Sequence, residues 1–137
     1  MNEQENTKVA KRVYELFKSG DVEEFLNMFS DDVSWETPTI ENTPFNGKIR
    51  GKENLANWIT DFNEAEEMTL FEQDEFIAQR DKVVVLGRVE ARSKATNKEY
   101  STNIVHILTV KDGKITGFIE LLDTAAAEKA YTSAQAA

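Results

Sequence analysis

The chain has 137 residues, no cysteine and one histidine, and its 16 basic against 25 acidic side chains leave a net charge of −9. That length fits one domain with a substantial core, expected to span 1–137, while the missing cysteines and lone histidine exclude disulfides, thiolate nucleophiles and the usual metal sites. An acidic chain without a Lys/Arg cluster is a poor binder of nucleic acid or anionic membrane, so neither is expected as a partner, and no metal or cofactor is expected either.

The longest apolar run, Val83 to Leu86, is far too short to cross a bilayer. The polar start, Met1 to Asn6, lacks the apolar core of a signal peptide, so a soluble cytoplasmic protein is the expectation.

From Glu3 to Ser19 the spacing is helical, with Val9, Val13, Leu16 and Phe17 on one stripe and Ala10 and Tyr14 on its flank. Gly20 stands where a left-handed helix C-cap belongs, and Asp21-Val22-Glu23-Glu24 has the pattern of a capping box. A short second helix follows with Val22, Phe25, Leu26 and Phe29 inward. Val33 to Thr37 reads as a short strand. Pro38 to Gly51, with two prolines and two glycines, reads as a long loop and a possible lid over a pocket. A third helix is expected from Lys52 to about Asn63, with Leu55, Trp58, Ile59 and Phe62 on its buried stripe.

The remainder is β. Met68 to Arg80 alternates except at Glu72-Gln73-Asp74-Glu75, which predicts a bulge or bend. Arg80-Asp81 and Ala95 to Lys98 are turns into the next two strands. Asp112-Gly113 is the signal of a type I′ hairpin, joining a strand from Glu99 to one ending at Asp123. The acidic run Glu64, Glu66, Glu67 reads as a solvated loop, and 127–137, rich in small residues, as a loose tail. The pattern predicts an α+β domain in which three N-terminal helices cover one face of a strongly curved antiparallel sheet. Such a cone encloses a natural small-molecule pocket.

At this point the chain resembles the NTF2-like superfamily, and within it the SnoaL-like group with its polyketide cyclases and ketosteroid isomerase relatives. The pieces are Val13 to Phe17, Gly20 to Leu26, Phe29 to Trp35, Arg50 to Glu53, Asp112 to Ile115 and Glu120 to Asp123, over roughly residues 7–126. The resemblance implies a cone with a deep pocket and a homodimer through the convex sheet face. It also implies a general acid/base aspartate ending the last strand, where Asp123 falls, with His106 on the preceding strand. Tyr14 could match the opening-helix tyrosine of ketosteroid isomerase, but the first strand offers no matching aspartate. Many members of the superfamily only bind a ligand.

Alternation puts Ile119, Leu121 and Asp123 on one face of the last strand and Phe118, Glu120 and Leu122 on the other. Asp123 on the concave face would be a base raised by desolvation; the alternative is that it caps the following turn. His106, sharing parity with Ile104 and Leu108, is either a pocket group or a satisfied core histidine. Trp35, Trp58, Phe25 and Met28 are candidate lining for a flat apolar ligand, with plain core the competing reading. Ile104 and Leu121 complete the expected lining. Glu120 and Arg88 fall on the convex face.

The leading function is cofactor-independent isomerisation or cyclisation of a small apolar carbonyl compound, with Asp123, His106 and Tyr14 moving protons. The alternative is a non-catalytic dimeric module that binds a small ligand. Hydrolysis of the epoxide-opening kind ranks lower, since Arg88, Arg92 and Asp123 do not share a face.

Overall fold

The computed structural model describes residues 2–43, 45 and 47–132. Two helices, α1 (Glu3–Ser19) and α2 (Val22–Asn27), precede β1 (Phe29–Glu36) and β2 (Lys48–Arg50). After α3 (Lys52–Ala65) come β3 (Glu66–Gln79), β4 (Lys82–Ser93), β5 (Glu99–Lys111) and β6 (Lys114–Leu122), and α4 (Thr124–Tyr131) closes the described chain. The strands form one six-stranded sheet in the order β2-β1-β6-β5-β4-β3. It is mixed: β1 runs parallel to β6, and the other neighbours are antiparallel.

Local chemistry sets the boundaries. Asn2 accepts from the Glu5 N–H at 2.8 Å to start α1, and Gly20 ends it at φ 78°, a left-handed conformation that costs glycine little. Asp21 caps α2 by accepting from the Glu24 N–H at 3.1 Å. Asp112 and Gly113 both have positive φ, 50° and 78°, as a type I′ turn requires.

The sheet bends where β3 slips against β4, between Met68 and Leu70 and again between Gln73 and Glu75. Gly87 of β4 faces the second slip. A Cβ there would lie 2.0 Å from the Glu72 carbonyl oxygen, so only glycine admits so close an approach. The curvature lets α1 and α3 fill the concave face. Ala10, Val13 and Tyr14 of α1 and Leu55, Trp58 and Phe62 of α3 pack with Val83, Val85, Leu108, Ile115 and Phe118 of the sheet.

Several elements differ from their sequence reading. The span 38–51 is not all loop: β2 lies in it, paired with β1, and Phe45 is buried with its ring 5.5 Å from Trp58 and 5.1 Å from Phe62. Pro44 and Asn46 of that span lie outside the described residues. The first strand begins at Phe29 rather than Val33. Helix α3 runs directly into β3, so the acidic run is no loop; Glu64 and Glu67 are exposed, but Glu66 is buried. The tail is packed as far as Tyr131, with Ala127, Ala130 and Tyr131 buried. Thr96 Oγ1 donates to the Ala130 carbonyl and Lys98 Nζ to that of Thr132 at 2.7 Å. Residues 133–137 lie outside the described residues. No helix among the described residues is long and apolar enough to cross a membrane.

Candidate active site

At the heart of the cone one hydrogen-bonded chain crosses from helix to sheet. The Tyr14 hydroxyl of α1 lies 2.6 Å from His106 Nδ1 of β5, and His106 Nε2 lies 2.8 Å from Glu120 Oε2 of β6. A carboxylate can only accept, which assigns the ring proton to Nε2; Nδ1 is then the acceptor for the tyrosine O–H. Burial, and secondarily the charge of Glu120, hold the Tyr14 hydroxyl well above its usual pKa, so it stays protonated and donates. His106 is 2% exposed, whereas the Glu120 side chain keeps 21%. Among the described residues Oε1 of Glu120 makes no hydrogen bond.

This chain lies on the wall of a cavity of about 60 Å³, otherwise lined mainly by rings. Phe118 lies between the two sides: its ring is 4.7 Å from His106 and stacks on Trp35 at 3.8 Å and 11°. Trp35 and Trp58 also line the cavity, 5.2 Å apart. A larger cavity of about 390 Å³ opens between α1, α2, α3 and β3. The two share Phe17, Phe25, Phe62, Met68 and Phe71, which form the partition between them.

Glu120 was expected on the convex face and Asp123 on the concave face; both are reversed. A perfect two-residue hairpin pairs Lys111 with Lys114 and Val110 with Ile115, and that register would set His106 opposite Ile119. The ladder instead slips one residue at Thr116, so Thr109 pairs with Gly117 and His106 with Glu120. With a side-chain period of two, one extra residue exchanges the faces of everything beyond it. Leu121 consequently lies 52% exposed on the convex face. Asp123 is exposed past the strand end and caps α4, accepting from the Ala126 N–H at 3.2 Å.

A SnoaL-like domain matches residues 10–118, most of the chain. The chain belongs to the SnoaL-like family. An NTF2-like protein from Burkholderia xenovorans LB400 is 31% identical, with 96% of this chain and 99% of that one covered at a TM-score of 0.88. TerC, co-crystallised with polyporic acid, is 26% identical over 93% and 98% of the two chains, at 0.84. A candidate SnoaL-like polyketide cyclase from Mesorhizobium loti is 23% identical over 84% and 97%, at 0.70, a likeness of fold alone. No curated protein matches in sequence.

In this SnoaL-like chain the cavity gathers Tyr14, His106, Trp35, Trp58 and Phe25 of the residues singled out from sequence. Four others fall elsewhere. Ile104 packs with Val89 and Ala91 in a second cluster. Met28 ends α2, and its carbonyl accepts from the Ile115 N–H. Leu121 and Asp123 are as described.

Sequence reading missed Glu120 and Phe118, and also a buried carboxyl, Glu66. Glu66 accepts from the Tyr131 hydroxyl at 2.6 Å and from the Tyr100 hydroxyl at 2.9 Å. Desolvation raises its pKa above the usual carboxylate value; the two phenols pull the other way, and the charge of Glu120 adds to the rise. Among the described residues no cluster of His, Asp and Glu could hold a metal ion.

Proposed function

We infer that the protein is a cofactor-independent SnoaL-like enzyme that moves a proton at the carbon next to a carbonyl of a small apolar compound. The observation that carries this is the Tyr14–His106–Glu120 chain, which ends in a free carboxylate oxygen on the wall of an apolar cavity. Glu120 is the base. Its Oε1 takes the proton, the C–H bond breaks, and the electron pair passes to the carbonyl oxygen as an enolate; return of the proton at another carbon gives an isomer. His106 is a positioning residue that donates to Oε2 and holds the carboxylate toward the cavity, and Tyr14 donates to Nδ1 and steadies the ring from the other side. Asp123 carries no role here, since it is committed to capping α4.

The ligand enters through the larger cavity and displaces the ring partition, because about 60 Å³ holds only a few waters. That TerC was co-crystallised with polyporic acid supports reading this chain as one that takes a small ligand. The protein acts as a homodimer through the convex sheet face, where Leu121 and Ile77 are each about half exposed.

The test is hydrogen exchange. Small aryl ketones are incubated with the protein in D2O, and loss of the α-proton signal is followed by NMR. Exchange above the buffer rate is expected, falling about 100-fold or more in Glu120→Gln. Exchange at the same rate in that variant refutes the assignment of the base. Tight binding without exchange leaves a ligand-binding module.

A further inference from the structure

Both indole N–H groups of this chain are buried without a partner. The Nε1 atoms of Trp35 and Trp58 are shielded from solvent and have no acceptor among the described residues, with the two residues 6% and 9% exposed. A buried donor left unmade costs about 1–3 kcal/mol, and folded proteins rarely carry one without a reason. Here the two belong to residues that line the same cavity, with ring centres 5.2 Å apart, and that cavity also holds His106 and Glu120.

The chain of Tyr14, His106 and Glu120 offers a ligand no donor of its own. The Tyr14 O–H is spent on Nδ1 and the Nε2–H on Glu120. An oxygen that gains negative charge in the cavity must therefore be met by another group. Trp35 and Trp58 are the lining residues with N–H groups to spare.

The geometry points to Trp35 and Trp58 as the paired donors that receive the oxygen of a neutral, flat ketone or phenol that carries an aromatic ring. The class follows from three features. Rings such as Phe25, Phe71 and Phe118 give flat apolar walls suited to stacking. The two N–H groups call for an acceptor oxygen. Glu120 repels a carboxylate placed beside it, so the ligand is uncharged. This rests on the proton-transfer reading only for the direction in which the ligand lies, with its oxygen toward the indoles and its acidic hydrogen toward Glu120.

The experiment compares two shape-matched probes, 2-tetralone and its hydrocarbon counterpart tetralin, by titration followed through intrinsic fluorescence. The chain has only two tryptophans, and both line the cavity, so the signal comes from the site. The ketone is expected to bind wild-type protein about tenfold or more tightly than the hydrocarbon, and to shift both indole N–H resonances in NMR. Trp35→Phe and Trp58→Phe keep a ring and remove the donor. Each should lower the ketone-to-hydrocarbon ratio by about threefold to tenfold while tetralin binding changes little. A ratio near one in the wild type, no saturable binding of 2-tetralone, or unmoved indole resonances would overturn the inference; the wild-type measurements decide even if a variant fails to fold. A ketone held through the indoles whose α-hydrogen never exchanges defeats the proposed reaction and leaves this donor pair standing.

Discussion

The direction of the Tyr14–His106–Glu120 chain can be tested by deleting one atom, the Tyr14 hydroxyl. Tyr14→Phe keeps the ring, so the edge contacts with Phe71 at 5.8 Å and Phe76 at 6.0 Å survive. What is lost is the 2.6 Å bond to His106 Nδ1, and the acceptor left behind sits in a residue 2% exposed. An unmade buried bond of this kind costs about 1–3 kcal/mol, toward the lower end if water from the neighbouring cavity reaches Nδ1. With a urea slope of about 2 kcal/mol per molar, that lowers the unfolding midpoint by roughly 0.5–1.5 M.

The tautomer is measured first. The chain has a single histidine, so two-bond proton–nitrogen NMR reads it without ambiguity. At a pH where the ring carries one proton, the wild type should show that proton on Nε2, and the variant should too, because Glu120 still accepts it. A wild-type ring protonated on Nδ1, or a Tyr14→Phe protein whose midpoint does not move, refutes the stated direction.

Glu66 should impose a pH dependence opposite to that of an ordinary buried ion-paired acid. Its folded pKa is raised, so the native state holds a proton that the unfolded chain has released; stability falls as pH climbs from about 4.5 through the raised value, and stays lower above it. Glu66→Gln should flatten that decline in urea midpoints taken between pH 4 and 8, and an unchanged slope refutes the argument. Phe118→Ala removes the stack on Trp35 and one neighbour of His106, with an expected loss of about 3–5 kcal/mol in chemical denaturation. Gly87→Ala forces a Cβ into the Glu72 carbonyl and should cost about 3 kcal/mol or more; a loss under about 1 would mean that the bend is soft. Leu121→Glu should convert a dimer into monomers by light scattering, and a wild type that is already monomeric removes the convex-face proposal.

The elements were legible because each was written in local chemistry. Gly20, Asp21 and Asp112-Gly113 fix three chain reversals or caps, and the irregular Glu72 to Glu75 marked the bulge that Gly87 accommodates. The fold followed from those signals. The site was only half legible, since its proposed base, Glu120, depends on a register, and register is a property of two strands at once. Alternation within Lys114 to Leu122 correctly separated Glu120 from Leu121 but could not say which faced His106. Gly117 beside the slip was the available signal, because glycine inside a strand often accompanies a bulge. Glu66 escaped for a similar reason: its partners Tyr100 and Tyr131 lie 34 and 65 residues away in sequence.

The buried Glu66 and the partly buried Glu120 are separated by the hydrogens that reach them. Glu66 is met by two phenols, uncharged donors that do not offset its desolvation, and the charge of Glu120 further favours its neutral form. Glu120 is met by an imidazole, which can itself take up a positive charge, and has one oxygen left for the cavity. At Glu66 desolvation outweighs the two phenol hydrogen bonds, whereas Glu120 keeps one carboxylate oxygen clear of any such partner. The one-residue slip at Thr116 therefore has a consequence for the site. It selects which side chain of β6 meets the only histidine, and so brings Glu120, the proposed base, to His106.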